Sequence, residues 1–389
     1  MKQICVLLNG GVCNDSRVIK TINYLSQNWH VHLFYTNGKP DDCTLFNNNV
    51  KLNNVVYPKD FKHILIKHSL FYLEYLFLSD AAIKSKIKFD FVWANDLPCL
   101  KPAYIIKKNT GAKLIYDSHE IYVETLNQFF SKKSGVVKSL IFRAIIKFMR
   151  FVGRNEEKKL LKKADYFITV GNELKKYFEK QYSYQGIRVI MNCPDVNKLS
   201  DTVDLKSSLG INQSSKLVIY QGVLNYGRGL HLMIEAFKHV NENVFLLILG
   251  SGMIKQELVD LVMKNQLENK VFFHAKVDLS ELHNYTAAAD FGINLLEDIN
   301  LSKKYAVPNK LFEYIHAGLP VISSKMPESV AVYKEFCIGK LVENDPHKIA
   351  EAINNITMED ITDYRKNCKL AKNKYNWENQ VKVLNEIFS

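Results

Sequence analysis

From end to end this chain alternates short apolar runs with amphipathic stretches, and that rhythm restricts its fold more than any other feature. In the first half Ile4–Leu8, Val31–Tyr35, Phe91–Ala94, Lys113–Tyr116, Tyr166–Val170 and Arg188–Met191 are four to six residues long and bounded by Gly, Asn, Asp or Pro. They are rich in β-branched or aromatic residues and read as buried strands. Leu217–Gln221, Val244–Leu249, Val271–His274, Phe291–Leu295 and Val321–Ser323 repeat the pattern in the second half. Helical spacing fills the intervals, as in Ser16–Gln27, Pro98–Lys108, Asn172–Tyr182, Leu230–Val240, Ile254–Asn265, Leu279–Ala288 and Asn309–Ala317. Strand–helix–strand runs imply parallel sheets joined by right-handed crossovers. So many strands exceed one open twisted sheet, and 389 residues is two to three times an ordinary domain. The sequence therefore predicts an α/β protein of two doubly wound, Rossmann-like domains, joined near Cys193–Ser214. Domain boundaries are expected at residues 1–195 and 196–372, with 373–389 as a closing helix. Open sheets of this kind bind ligands at the carboxyl ends of their strands, and two facing each other would enclose a cleft. The residues just after strands are therefore the ones to read for chemistry.

Composition removes several classes. With 47% hydrophobic and 24% charged residues the chain is neither disordered nor an integral membrane protein. Its most apolar stretch, His68–Ile83, is broken by Glu74 and Asp80 and falls short of a bilayer span. Ile4–Leu8 is too short for the core of a signal peptide. The seven cysteines are an odd, scattered set without a C-x-x-C pair, which predicts reduced thiols in a cytoplasmic protein and no zinc site. No D-x-D pair is present, and neither a metal nor a cofactor is expected.

The net charge of +12 is uneven: residues 1–195 hold 30 Lys and Arg against 17 Asp and Glu, and the remainder 22 against 23. Most of these cations are lysines, point charges poorly suited to bidentate base reading, so nucleic acid is not the expected partner. An anionic membrane surface or an acidic acceptor fits the basic half at least as well. Eleven of its cations fall within Ser131–Ala164. Across Val136–Gly153 and just beyond, Lys138, Arg143, Lys147, Arg150 and Arg154 recur every three to five residues among Ile, Phe, Met and Val. That is a basic amphipathic helix, readable either as a membrane-surface element or as a packing helix whose long cations lie over its apolar flank.

Five segments carry candidate chemistry. Asn9-Gly10-Gly11 follows the first strand, where glycines admit a ligand close to backbone amides or simply make a tight turn capped by Asp15 or Ser16. Gly250-Ser251-Gly252 repeats that arrangement in the second half. Gln221–Leu230 holds Gly222, Gly227 and Gly229 with Arg228 between the last two, at a helix start where the dipole is already positive. An arginine there suggests an anion, and phosphate is the natural one. In Val307–Val321, Pro308 stands at the first helical position and Gly318 just past the end. Open amides of Asn309 and Lys310 could hold a diphosphate, and Glu313 one turn on could accept from a ribose diol, unless Glu313 only pairs with Lys310 on a solvated face. Finally, Asp117-Ser118-His119-Glu120 follows a strand and presents a histidine able to meet a substrate hydroxyl or developing charge.

Taken together, Gln221–Leu230, Gly250-x-Gly252, Pro308–Pro320, Asp117–Glu120 and the terminal Trp377-Glu378 resemble the retaining glycosyltransferases of the GT-B fold, family 4. The resemblance covers essentially the whole chain. It implies metal-independent transfer of a hexosyl group from a nucleotide-sugar donor, a UDP-sugar being expected, to a glycan or lipid-linked acceptor in surface polysaccharide synthesis. The second domain would bind the nucleotide and the first the acceptor, with the enzyme peripheral on the inner membrane face. On the same resemblance Glu313 holds the ribose, Arg228 meets the diphosphate, His119 contacts the donor sugar, and Gly10 and Gly11 lie beside phosphate and acceptor. The helix near Trp377 would cross back to the first domain. Two positions depart from the family pattern: Tyr305 stands where a first glutamate is usual, and Val223 where an arginine follows the glycine. These departures keep two other readings open, a sugar-nucleotide epimerase on the same scaffold and a non-catalytic glycan- or nucleotide-binding subunit.

Overall fold

The computed structural model describes residues 1–56, 76–130, 136–195 and 203–389. It divides into two compact units, residues 1–192 with 383–389, and residues 193–382. The second division falls inside the last helix, ten residues later than the sequence suggested.

Among the described residues the first unit holds seven parallel strands: β1 (Lys2–Leu8), β2 (Trp29–Tyr35), β3 (Val50–Asn54), β4 (Phe91–Asn95), β5 (Lys113–Ser118), β6 (Tyr166–Thr169) and β7 (Arg188–Val189). Their order is β3-β2-β1-β4-β5-β6-β7, so the winding reverses between β1 and β4. Between the strands run α1 (Ser16–Leu25), α2 (Leu76–Lys84), α3 (Asp96–Thr110), α4 (Tyr122–Phe130), α5 (Val136–Leu161) and α6 (Asn172–Tyr182). Ile4–Leu8 are all buried, as expected of a central parallel strand covered on both faces. The most apolar stretch of the sequence, His68–Ile83, lies outside the described residues up to position 75.

The second unit has β8 (Lys216–Gln221), β9 (Val244–Leu249), β10 (Val271–His274), β11 (Phe291–Asn294), β12 (Val321–Ser324) and β13 (Gly339–Val342), again all parallel. The order β10-β9-β8-β11-β12-β13 puts the reversal between β8 and β11. Its helices are α7 (Leu205–Ser208), α8 (Leu230–Ala236), α9 (Lys255–Lys264), α10 (Leu279–Ala287), α11 (Leu301–Lys304), α12 (Asn309–His316), α13 (Pro327–Glu335), α14 (Pro346–Asn354), α15 (Met358–Lys374) and α16 (Trp377–Phe388). Val218, Tyr220, Leu246, Ile248, Phe291 and Ile293 join the inner faces of α8, α9 and α14 in one buried core.

The far end of α16 belongs to the first unit. There Phe388 packs its ring against Trp29 at 5.1 Å and Phe91 at 5.0 Å, closing the β2–β1–β4 end of that sheet with an aromatic cluster. Each such pair adds about 0.5–1.5 kcal/mol beyond the area it buries. Among the described residues no helix is long and apolar enough to cross a membrane.

Candidate active site

In the second unit the carboxyl ends of β8 and β11 meet at the point where the winding reverses, and a cavity of about 620 Å³ opens there. The β8–α8 loop forms one wall. It carries Gly222, Gly227 and Gly229 in left-handed backbone, with φ of 125°, 79° and 63°. Gly229 caps α8, and a Cβ there would lie 2.4 Å from the Leu295 Cβ, so the turn that presents Arg228 to the cavity needs glycine.

The β9–α9 turn forms the neighbouring wall, and its glycines answer a different demand from the one expected. A Cβ on Gly250, whose φ is 151°, would sit 1.9 Å from the Gly222 carbonyl oxygen. One on Gly252 would sit 2.2 Å from that of Leu224. The amide of Gly222 donates to the Leu249 oxygen and that of Leu224 to the Ser251 oxygen, both at 2.9 Å. These glycines let two loops lace together backbone to backbone, and the laced pair then lines the cavity.

The opposite wall is the start of α12. Pro308 is the N-cap rather than the first helical residue, and it offers no capping side chain. Among the described residues the amides of Asn309 and Lys310 meet no protein acceptor. Lys310 departs from expectation. Its side chain is 8% exposed, with Nζ 3.8 Å from the centre of the Tyr220 ring and Cε where a Cβ on residue 222 would intrude. Burial drives its pKa well below the usual lysine value; Arg228 and Lys303 add to the fall and Glu313 opposes it. Lys310 and Glu313 therefore do not form the solvated pair that their spacing allowed.

Glu313 is held from elsewhere. Gln221, the last residue of β8, donates from Nε2 to Glu313 Oε2 at 2.6 Å. The Gln221 oxygen accepts at 2.6 Å from the hydroxyl of Thr286 on α10. Both ends of the amide are thus used, and the relay fixes one carboxylate oxygen while Glu313 still lines the cavity. Lys276 and Lys303 bring further positive charge, and Val223 presents an apolar, exposed side chain. Tyr305 ends α11 and is not among the lining residues. An array of cations, open helix amides and one anchored carboxylate suits a ligand with an anionic core and a hydroxyl-bearing arm.

The residues singled out in the first half belong to the other unit. Gly10 donates its amide to the Thr36 hydroxyl at 2.9 Å, and the 3-10 turn Val12–Asn14 separates Gly10 and Gly11 from α1. Asp15 caps α1, accepting from the Val18 amide at 3.1 Å, so the glycines do not stand at that helix's N-terminus. His119 follows β5 with a carboxylate at each ring nitrogen. Nδ1 lies 3.5 Å from Asp96 and Nε2 3.2 Å from Asp117. Burial opposes its charge, but Asp96 and Asp117 outweigh burial and push its pKa up to about 9. For Asp117 burial likewise disfavours charge, and Arg17 and His119 together bring it down to about 2.

Two partners in this cluster escaped sequence reading. Arg17, in the first turn of α1, is buried; it pairs with Asp117 at 2.7 Å and donates to the Ile190 oxygen. Asp96 holds the left-handed φ of 58° at the β4–α3 corner and accepts from the His119 amide at 2.8 Å. A non-glycine residue in that conformation is the one local signal that a side chain is being aimed.

The basic helix is real as α5, but its cations divide. Arg150 and Arg154 turn inward to Glu124, which is buried on α4 and would be costly to leave unpaired. They are therefore counter-ions of Glu124 whose side chains stay partly exposed. Arg143 and Lys147 are exposed, beside Phe148 at 60% and Phe151 at 66%. The Lys138 side chain lies outside the described residues.

Comparison with known proteins places the whole chain. The glycosyl transferases group 1 profile matches residues 201–377, and the Glycosyltransferase Family 4 profile matches residues 16–198. The chain belongs to these two glycosyltransferase families. This glycosyltransferase is 25% identical over 203 residues to an uncharacterized glycosyltransferase of Methanocaldococcus jannaschii, a match covering 50% of each chain. It is 22% identical over 273 residues to the chitobiosyldiphosphodolichol beta-mannosyltransferase of Candida albicans, covering 64% of this chain and 55% of that one. The glycosyltransferase thus spans about half the length of the curated relatives it matches. Among solved structures, Anabaena HepE in complex with UDP superposes with a TM-score of 0.76 at 16% identity, covering 100% of this chain and 99% of that one. At that identity the likeness concerns the fold, which is GT-B.

Proposed function

We infer that this glycosyltransferase moves a hexosyl group from a UDP-sugar to a hydroxyl of a glycan or lipid-linked acceptor, with retention of anomeric configuration. The observation that carries this reading is the second unit's cavity, where Arg228, Lys303 and the open amides of α12 converge while Gln221 anchors Glu313. The first group suits a diphosphate and the carboxylate a ribose diol. The UDP bound by the HepE fold relative agrees with the choice of nucleotide.

In the reaction the acceptor oxygen forms a bond to the anomeric carbon on the face from which the diphosphate departs. The carbon–oxygen bond to the diphosphate breaks, and the acceptor's hydroxyl proton passes to the leaving phosphate oxygen. Negative charge grows on that diphosphate, and Arg228 with the α12 amides stabilises it, so no protein nucleophile is required. His119, as an imidazolium held between two carboxylates, is the first unit's contribution to the donor sugar. The exposed face of α5 serves an anionic membrane: Arg143 and Lys147 meet lipid headgroups and Phe148 with Phe151 enters the interface.

A screen of UDP- and GDP-sugars for nucleotide release, with Glu313→Ala as control, tests the donor. Release from a UDP-sugar that depends on Glu313 is the expected result. Release from GDP-sugars alone, or equal release by the variant, overturns the assignment of nucleotide or of Glu313. The anomeric proton coupling of the product reports retention or inversion.

A further inference from the structure

One polar side chain at the cavity is left without a partner, and none of the site features described so far uses it. Asn294 is the last residue of β11 and lines the cavity. It is 2% exposed, and among the described residues its Nδ2 meets no acceptor. An unsatisfied buried amide donor is costly, and native proteins seldom carry one without a reason.

Its position supplies the reason. The β8–β11 ladder pairs Val218 with Phe291 and Ile219 with Gly292. Two residues further along, Gln221 and Asn294 therefore stand side by side, on one face, at the winding reversal where such sheets hold ligands. Gln221 is held at both ends of its amide, by Glu313 and by Thr286, so its orientation is fixed from within the protein. Asn294 has a free donor at the same corner. Around it the cavity carries Arg228, Lys276 and Lys303, a positive field that favours an anionic oxygen over a neutral hydroxyl. Val223 stands where the family pattern has an arginine and adds no donor.

We propose that Asn294 donates from Nδ2 to a diphosphate oxygen of the nucleotide-sugar, a neutral hydrogen bond in a site otherwise lined by cations. This rests on the reading of the cavity as a nucleoside diphosphate site. The contact exists in ground state and transition state alike, so its loss should raise the donor KM with little change in kcat.

The test is titration calorimetry with uridine, UMP, UDP and a UDP-sugar, on the wild-type protein, Asn294→Leu and Asn294→Asp, with thermal midpoints for all three. Wild-type binding of UDP checks the underlying reading by itself; absence of that binding sinks the reading, and the variants then say nothing in its favour. Given that binding, Asn294→Leu should weaken UDP and the UDP-sugar by the same factor, about tenfold or more, leave uridine unchanged, and keep or raise the thermal midpoint because an orphan donor is removed. Asn294→Asp should weaken both further by setting a carboxylate against the diphosphate. Unchanged UDP affinity in Asn294→Leu overturns the proposal. So does a loss confined to the UDP-sugar, which would assign the amide to a sugar hydroxyl, or a loss matched by a fallen thermal midpoint, which would make Asn294 structural.

Discussion

The charge on His119 fixes how the first unit's stability depends on pH. In the unfolded chain an imidazole titrates near pH 6.5; in the fold Asp96 and Asp117 overcome the effect of burial and raise that value to about 9. The folded state therefore binds the proton more tightly. Its stabilisation is complete below pH 6.5 and drains away as pH rises through about 9. A gap of roughly two and a half pH units corresponds to about 3 kcal/mol at 1.36 kcal/mol per unit. Part of that is offset, because burial raises the pKa of Asp96 and weakens one of the two carboxylates. A loss of about 2 kcal/mol between pH 6.5 and 9.5 is the resulting expectation.

Other groups add their own pH dependence. Burial raises Glu157 to about 7 against the hydrogen bonds of Tyr116 and Tyr182, so its contribution falls between pH 4.5 and 7. Lys310 works in the opposite direction in the second unit. A His119→Asn variant, which keeps a donor and removes the charge, separates His119 from them. Urea unfolding read by tryptophan fluorescence suits the measurement, since Trp29 and Trp93 are both buried in the first unit. The difference between wild type and variant should shrink by about 2 kcal/mol from pH 6.5 to 9.5. A difference that stays level or grows over that interval means that His119 is not held protonated by its two neighbours.

Three further outcomes follow from the same geometry. Gly250→Ala forces a Cβ to 1.9 Å from the Gly222 oxygen, so the laced loops must part; UDP affinity should fall by about tenfold or more, with a lower thermal midpoint, both by calorimetry. Thr286→Val frees the Gln221 amide and with it Glu313; steady-state kinetics should show the donor KM raised several-fold, roughly the effect of about 1 kcal/mol, with kcat less affected. Replacing Phe148 and Phe151 by serine should weaken sedimentation with anionic liposomes while the salt dependence remains, because Arg143 and Lys147 are untouched; unaltered binding would remove the two rings from the membrane reading.

Where the sequence was readable, it was so because one strand or helix carried its own signal. Eleven strands announce themselves in the sequence, most as apolar runs because both of their faces are covered, and the edge strands β7 and β10 through their β-branched or aromatic residues. The two that escaped, Val50–Asn54 and Gly339–Val342, are the outermost strands on one side of each sheet. An edge strand has one neighbour and less burial, and Val50–Asn54 has no fully buried residue, so the apolar run that marks a central strand is absent. The glycine-rich turns were legible as turns that need glycine. What each glycine makes room for was not, because the Gly222 oxygen facing Gly250 comes from another loop.

The same division governs the side chains. Spacing along one helix allowed Lys310 to pair with Glu313 and five cations of α5 to share a surface. In the fold Lys310 lies on the Tyr220 ring, Glu313 is taken by Gln221 from 92 positions away, and Arg150 and Arg154 cross to Glu124. Arg17 finds Asp117 across 100 positions. Each of these long-range choices answers one local requirement, that a buried charge or amide must be matched. Helix periodicity states which residues share a face, but the matching partner comes from whichever strand end the winding brings alongside. On this argument the strand ends at a winding reversal are where matching is hardest to complete from within the protein. Gln221 and Asn294 occupy that place together; one is matched internally, and the other has its donor free.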